Sequence, residues 1–230
     1  MSASILFFSL AGGVLPALLW LWFWLREDRL HPEPRSLLIL SFIGGMLVVL
    51  LALPAEQWIA DATKNMTLVI IGWAVIEETL KYGASYFTAL RKRENDEPID
   101  SLMYLITAAL GFAALENTFF LVGAFEKGGL PHGFDLGVLR FVGATLLHIV
   151  SSGALGFFLA LGFYKRRSIK RIDWLLGILA AILLHALFNL FILKASGDGG
   201  STFTVFTFVW IAVILLLIAF EKVKQIKERY

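Results

Sequence analysis

The sequence predicts an all-α, polytopic membrane protein, a helix bundle of about seven transmembrane helices with an N-out/C-in orientation. Three observations predict it. Apolar residues make up 58% of the 230-residue chain and charged residues only 17%, where a soluble domain carries about a quarter charged. The apolar residues form continuous runs, whereas the strands of a membrane barrel alternate over about ten residues. The loops between the runs alternate between rich and poor in Lys and Arg. No tandem repeat, low-complexity tract or soluble domain interrupts the pattern, so residues 1–230 read as a single integral membrane domain. The absence of Cys excludes disulfides and thiolate ligands or nucleophiles.

The spans run, in order, over 4–25, 36–58, 67–90, 101–123, 137–163, 172–194 and 202–220. At 1.5 Å per residue, about 20 residues cross a hydrocarbon core of about 30 Å. The first span has no basic residue before it and is followed by Arg26 and Arg29, which reads as a retained span with its N-terminus outside rather than a cleaved leader. The second reaches the interface around Pro54 and Glu56. Between the fourth and fifth, Glu126–Gly133 with His132 reads as a solvated turn. The tail, 221–230, is basic and continues the last helix along anionic headgroups. The seven Trp and many Phe read as interfacial belts and lipid-facing bulk. Gly44, Gly45, Gly153 and Gly156 suit close helix contact.

The loops fix the orientation. One set carries Arg26, Arg29 and Arg35; Arg91, Lys92 and Arg93; Lys165, Arg166, Arg167, Lys170 and Arg171; and Lys222, Lys224, Lys227 and Arg229. The other holds Lys64 and Lys127, with Arg140 and Lys194 near span ends. The first set is cytoplasmic by the positive-inside rule, which places the protein in the cell membrane.

Within these spans lie Glu77, Glu78, Glu116, His148 and His185. A charge at the middle of a membrane helix costs about 2.5 to 3.5 kcal/mol on insertion scales, while Leu or Ala packs helices without that cost. The topology brings them to one layer: Glu77 and Glu78 near mid-span, His148 and His185 about 3 Å outward, and Glu116 about 6 Å outward. Lys81 shares a helix face with Glu77 at four residues' spacing, which leaves Glu78, about 100° away, facing a cavity. Asn117 beside Glu116 suits an interhelical hydrogen bond. His185 and Asn189, again four apart, suit donation of two hydrogen bonds to one oxygen.

The ordered set Glu77-Glu78-x-x-Lys81, Phe112-x-x-x-Glu116-Asn117, His148 followed by small residues, and His185-x-x-x-Asn189 resembles the PrsW family of intramembrane proteases, within the superfamily of CAAX prenyl endopeptidases. Asp28-x-x-x-Pro32-Glu33-Pro34 and Glu97-Pro98-Ile99-Asp100 extend the resemblance, whose core spans 77–189. Glu116 stands where the CAAX type has His, which favours PrsW.

The resemblance implies an endopeptidase acting on membrane-anchored substrates such as anti-sigma-factor-like regulators. Glu77 or Glu78, with Glu78 preferred, would take a proton from water, aided by Glu116 or His148. His185 and Asn189 would hold the oxyanion, with Lys81 and Asn117 in support. No metal is favoured; the variant reading is Zn²⁺ on Glu78, Glu116, His148 and His185. A scaffold or proton-coupled transporter is the reading from another class, although no internal repeat or matched broken helices accompany it. No Walker loop, dinucleotide fingerprint, Ser-nucleophile motif or nucleic-acid-binding feature is present.

Overall fold

The computed structural model describes residues 2–27, 32–195 and 199–227. Asp28 and Arg29 of the first basic loop and residues 228–230 of the basic tail lie outside the described residues. The elements are α1 (Ala3–Glu27), α2 (Arg35–Ala62), α3 (Met66–Ser85) ending in a π turn at Tyr86–Leu90, α4 (Pro98–Leu139), a second π turn at Arg140–Ala144, α5 (Thr145–Gly162), α6 (Arg167–Ala195) and α7 (Gly199–Val223). No strand occurs among the described residues. Five described segments are long and apolar enough to cross a membrane: Ala3–Glu27, Arg35–Ala62, Pro98–Gly162, Arg167–Lys194 and Phe206–Val223. Each stretch expected from the sequence to be a span falls on helix.

The connection between the fourth and fifth expected spans differs from expectation. Residues 126–132 are exposed, as a solvated turn requires, but helix runs up to and away from a bend made at Gly129 alone, with φ 69° and ψ −167°. Only glycine adopts that backbone without strain. Pro131 then fits the opening turn of the next helix, where its missing N–H costs nothing. The limb 98–128 therefore folds back on the limb 130–162 as a tight hairpin. Rings of Phe125 and Phe134 meet at 5.7 Å near the bend, and Gly133 lies against Phe125 with no room for a Cβ.

The first limb is the axis of the bundle. Every residue from Pro98 to Ala114 is buried, as an all-round apolar helix requires, and α1, α2 and α5 pack around it. Glycines permit the closest approaches: a Cβ on Gly45 would strike the Ala108 backbone, and one on Gly111 the Phe42 backbone. Polar signals set the start of α4. Asp100 Oδ2 accepts from the backbone N–H of Glu97 at 2.7 Å and Asp96 at 2.8 Å, forming a capping box with Glu97. Tyr104 Oη donates to the buried Glu33 carboxylate, so the Pro32-Glu33-Pro34 stretch is pinned to the same helix. Trp24 departs from the lipid-facing expectation: it is fully buried, 5.6 Å from the Phe220 ring, and ties α1 to α7.

Replacing Gly111 by Val should force α2 and α4 apart and cost about 1 to 3 kcal/mol. Thermal unfolding in detergent checks it; an unchanged midpoint would mean that contact does not set the helix spacing.

Candidate active site

Four helices bring one ionisable cluster together. From α3 come Glu77, Glu78 and Lys81, from α4 Glu116, from α5 His148 and from α6 His185. Exposure is 4% for Glu77, 1% for Glu78, 0% for Lys81, 2% for His148 and 1% for His185. Rings of His148 and His185 stand edge to face at 5.3 Å. Phe112 closes one side, 5.1 Å from Lys81 Nζ and 5.4 Å from the His148 ring.

Glu78 is the hub. Its Oε1 accepts from Lys81 Nζ at 2.5 Å and Ser151 Oγ at 2.9 Å, and lies 2.7 Å from His185 Nδ1. Its Oε2 accepts from Ser152 Oγ at 3.1 Å. Lys81 thus pairs with the residue three positions back and not, as expected, with Glu77 four back. Both spacings are neighbours on a helix; the donors arriving from α5 and α6 decide between them. Glu78 is therefore not the free carboxylate.

Glu77 is the carboxylate left open. Its buried Oε2 has no hydrogen-bond partner among the described residues, yet it faces His185 Nε2 at 3.7 Å and His148 Nδ1 at 3.8 Å. The remaining nitrogen of each ring is held by a carboxylate. His185 Nδ1 meets Glu78, and His148 Nε2 lies 3.2 Å from Glu116 Oε2. Glu116 is paired in turn with Arg140. Lys81 and Arg140 therefore answer Glu78 and Glu116, while Glu77 remains without a cationic side chain of its own. Glu56, partly buried near the end of α2, adds a further carboxylate within electrostatic reach of Glu77 and Glu116.

A carboxylate oxygen of Glu77 and one nitrogen each of His148 and His185 lie within 4.8 Å of one another. Two ligands about 2.1 Å from a tetrahedral ion sit about 3.4 Å apart, close to the 3.7 and 3.8 Å found here. Imidazoles backed by carboxylates are the usual surroundings of such a ligand set. The residues fit a divalent ion such as Zn²⁺. The fitting group differs from the expected Glu78, Glu116, His148 and His185: it takes Glu77, with Glu78 and Glu116 standing behind the rings. One contact competes with an ion, since Lys81 Nζ lies 3.0 Å from His148 Nδ1.

Asn117 and Asn189 lie at the margins. Asn117 bonds Thr145 and Arg140. Asn189, one turn beyond His185 and partly buried, makes no side-chain hydrogen bond among the described residues. Sequence reasoning passed over Arg140 as a span-end residue, although an Arg inside an apolar run was the available signal.

Residues 33–218 match the model of the PrsW family intramembrane metalloproteases. The chain belongs to that family. It is 28% identical to Protease PrsW of Oceanobacillus iheyensis over 95% of this chain and 96% of the relative. It is 25% identical to Protease PrsW of Geobacillus kaustophilus over 96% and 93%, and 24% identical to that of Bacillus subtilis over 83% and 84%. No solved structure matches. PrsW membership and the apolar helices make the chain an integral, multi-pass membrane protein of the peptidase class.

The two adjacent glutamates should respond differently to neutralisation in metal-stripped protein. Glu78→Gln leaves Lys81 without its buried partner and should cost about 3 to 5 kcal/mol, whereas Glu77→Gln should leave the unfolding midpoint unchanged or higher. Equal losses in thermal melts would contradict this assignment of the ion pair.

Proposed function

We propose that this chain is an intramembrane endopeptidase that hydrolyses peptide bonds of membrane-anchored proteins, with Glu77, His148 and His185 holding a metal ion. The observation that carries this reading is the unpartnered Glu77 oxygen facing two imidazole nitrogens whose opposite nitrogens are backed by Glu78 and Glu116. Zn²⁺ suits the donor set. Such an ion supplies Lewis acidity, polarising water and the scissile carbonyl. The chain's own groups do the rest. Glu78 fixes the His185 ring, Glu116 fixes the His148 ring, and Lys81, Ser151 and Ser152 neutralise and orient Glu78. Phe112 on the first limb of α4 packs against Lys81 and the His148 ring and excludes water there. No covalent acyl-enzyme forms, because the carboxylate that accepts from Ser151 and Ser152, Glu78, is ion-paired to Lys81 and is too weak a base to activate either hydroxyl.

The bundle crosses the membrane seven times, N-out and C-in. The hairpin at Gly129 divides the long apolar segment into two crossings, and α3 crosses despite Glu77, Glu78 and Lys81 because these face the interior. That orientation places the centre toward the outer half of the membrane. The substrate is a single-span protein cut near the outer face; tethered regulators of the anti-sigma type are the class the family resemblance suggests.

One contact favours a second reading, a metal-free peptidase. Lys81 Nζ beside His148 Nδ1 supplies positive charge where an ion would sit. Glu77, not Glu78, then takes the proton from water, and His185, protonated on both nitrogens, donates from Nε2 to the oxyanion, with Asn189 one turn beyond.

The deciding experiment uses purified protein in liposomes with doubly tagged single-span reporters. Chelation should abolish cleavage and Zn²⁺ should restore it, with metal bound at one per chain by elemental analysis. Glu77→Gln should lower the rate at least about 100-fold. Full activity after stripping selects the metal-free reading, and full activity in Glu77→Gln defeats both.

A further inference from the structure

We infer that Arg140 is a positioning residue of the reaction centre: it holds Glu116 against His148 Nε2 and so turns His148 Nδ1 toward Glu77. Its link to catalysis rests on the peptidase reading; its link to the His148 ring does not.

The geometry is a closed loop of polar contacts at the second π turn. Arg140 Nη2 donates to Glu116 Oε2, the same oxygen that lies 3.2 Å from His148 Nε2. Arg140 Nε donates to Asn117 Oδ1 at 2.5 Å. Asn117 Nδ2 donates to Thr145 Oγ1 at 3.0 Å, and Thr145 Oγ1 donates to the Arg140 carbonyl at 3.1 Å. The guanidinium lies over the Phe120 ring, 3.9 Å from its centroid. Its planar fork therefore serves two acceptors from one orientation, which a Lys ammonium cannot reproduce. The Arg140 and Glu116 side chains are only 14% and 16% exposed.

The π turn is what allows this. In a regular helix Arg140 and His148 would differ by about 80° in rotation at about 100° per residue. The wider turn at Arg140–Ala144 absorbs one residue, which brings the two within about 20° of a common face. Arg140 and His148 thereby reach the same Glu116 oxygen. With Glu116 accepting at Nε2, the hydrogen of a neutral His148 ring sits on Nε2 and the lone pair sits on Nδ1, facing Lys81 Nζ at 3.0 Å and Glu77 at 3.8 Å.

The test uses full-length protein in nanodiscs carrying ¹⁵N-histidine, with His148→Asn to assign its signal. Wild type should show a single Nε2–H tautomer for His148. Arg140→Gln should give a tautomer mixture and a cleavage rate constant about 10- to 100-fold lower, with KM within about twofold. Arg140→Lys, which keeps the charge beside Glu116, should hold the tautomer and lose less than about tenfold. Adding Arg140→Gln to Glu116→Gln should reduce the rate no further than Glu116→Gln alone, and this neutral pair carries the test if the single Gln variant does not fold. An unchanged His148 tautomer in Arg140→Gln overturns the inference. So does a rise in KM alone, which would mean that Arg140 meets substrate, or losses that multiply in the double variant. If wild type cleaves no reporter, the tautomer readout still decides the role of Arg140, and the failure belongs to the peptidase reading.

Discussion

A carboxylate in the interior of a membrane bundle needs a cation or a set of hydrogen-bond donors. The pairing of Glu78 with Lys81 meets that need and organises much else. It fully buries both side chains, draws Ser151 and Ser152 of α5 and His185 of α6 onto α3, and sets the spacing of three helices with one ion pair. Because that pair is complete, the neighbouring carboxylate on α3 is left over. Glu77 Oε2 then points at the two imidazoles without a hydrogen bond among the described residues. The chemistry attributed to the centre depends on this asymmetry between adjacent, chemically identical residues.

The apolar scaffold brings the groups into range. The first limb of α4 is buried on all sides, and glycines on α2 and α4 let backbones meet where any larger residue would hold them apart. On the other side, Gly156 of α5 lies against the Leu102 backbone of α4, and across that interface Glu116 meets His148 of α5 and Arg140 of the second π turn. The polar layer and the small-residue contacts are two halves of one arrangement: without close packing the side chains would not reach, and without the polar layer nothing would select one register.

Much of this was legible in the sequence. The helical stretches followed from continuous apolar runs, and the convergence of Glu77, Glu78, Glu116, His148 and His185 followed from their shared depth. What escaped were choices made by contacts between helices. Spacing along α3 allows Lys81 to meet either glutamate, and only donors from α5 and α6 decide. Arg140 reads as a flank residue until the π turn rotates it inward, and no local residue pattern announces that turn. Residues 126–133 carry turn-forming glycines and a proline, yet a single glycine makes the bend. Trp24 looks like an interfacial ring but packs on Phe220, which lies far along the chain.

The one-residue bend at Gly129 has a mechanical corollary. Two of the four rods that meet at the centre, those bearing Glu116 and His148, are halves of a single pin clasped along its length. The rods bearing Glu77 and His185 are joined to that pin by the short connections 91–97 and 163–166 and by side-chain packing. Variation in the geometry of the centre therefore reduces to few degrees of freedom: how α3 and α6 slide or tilt against a fixed post.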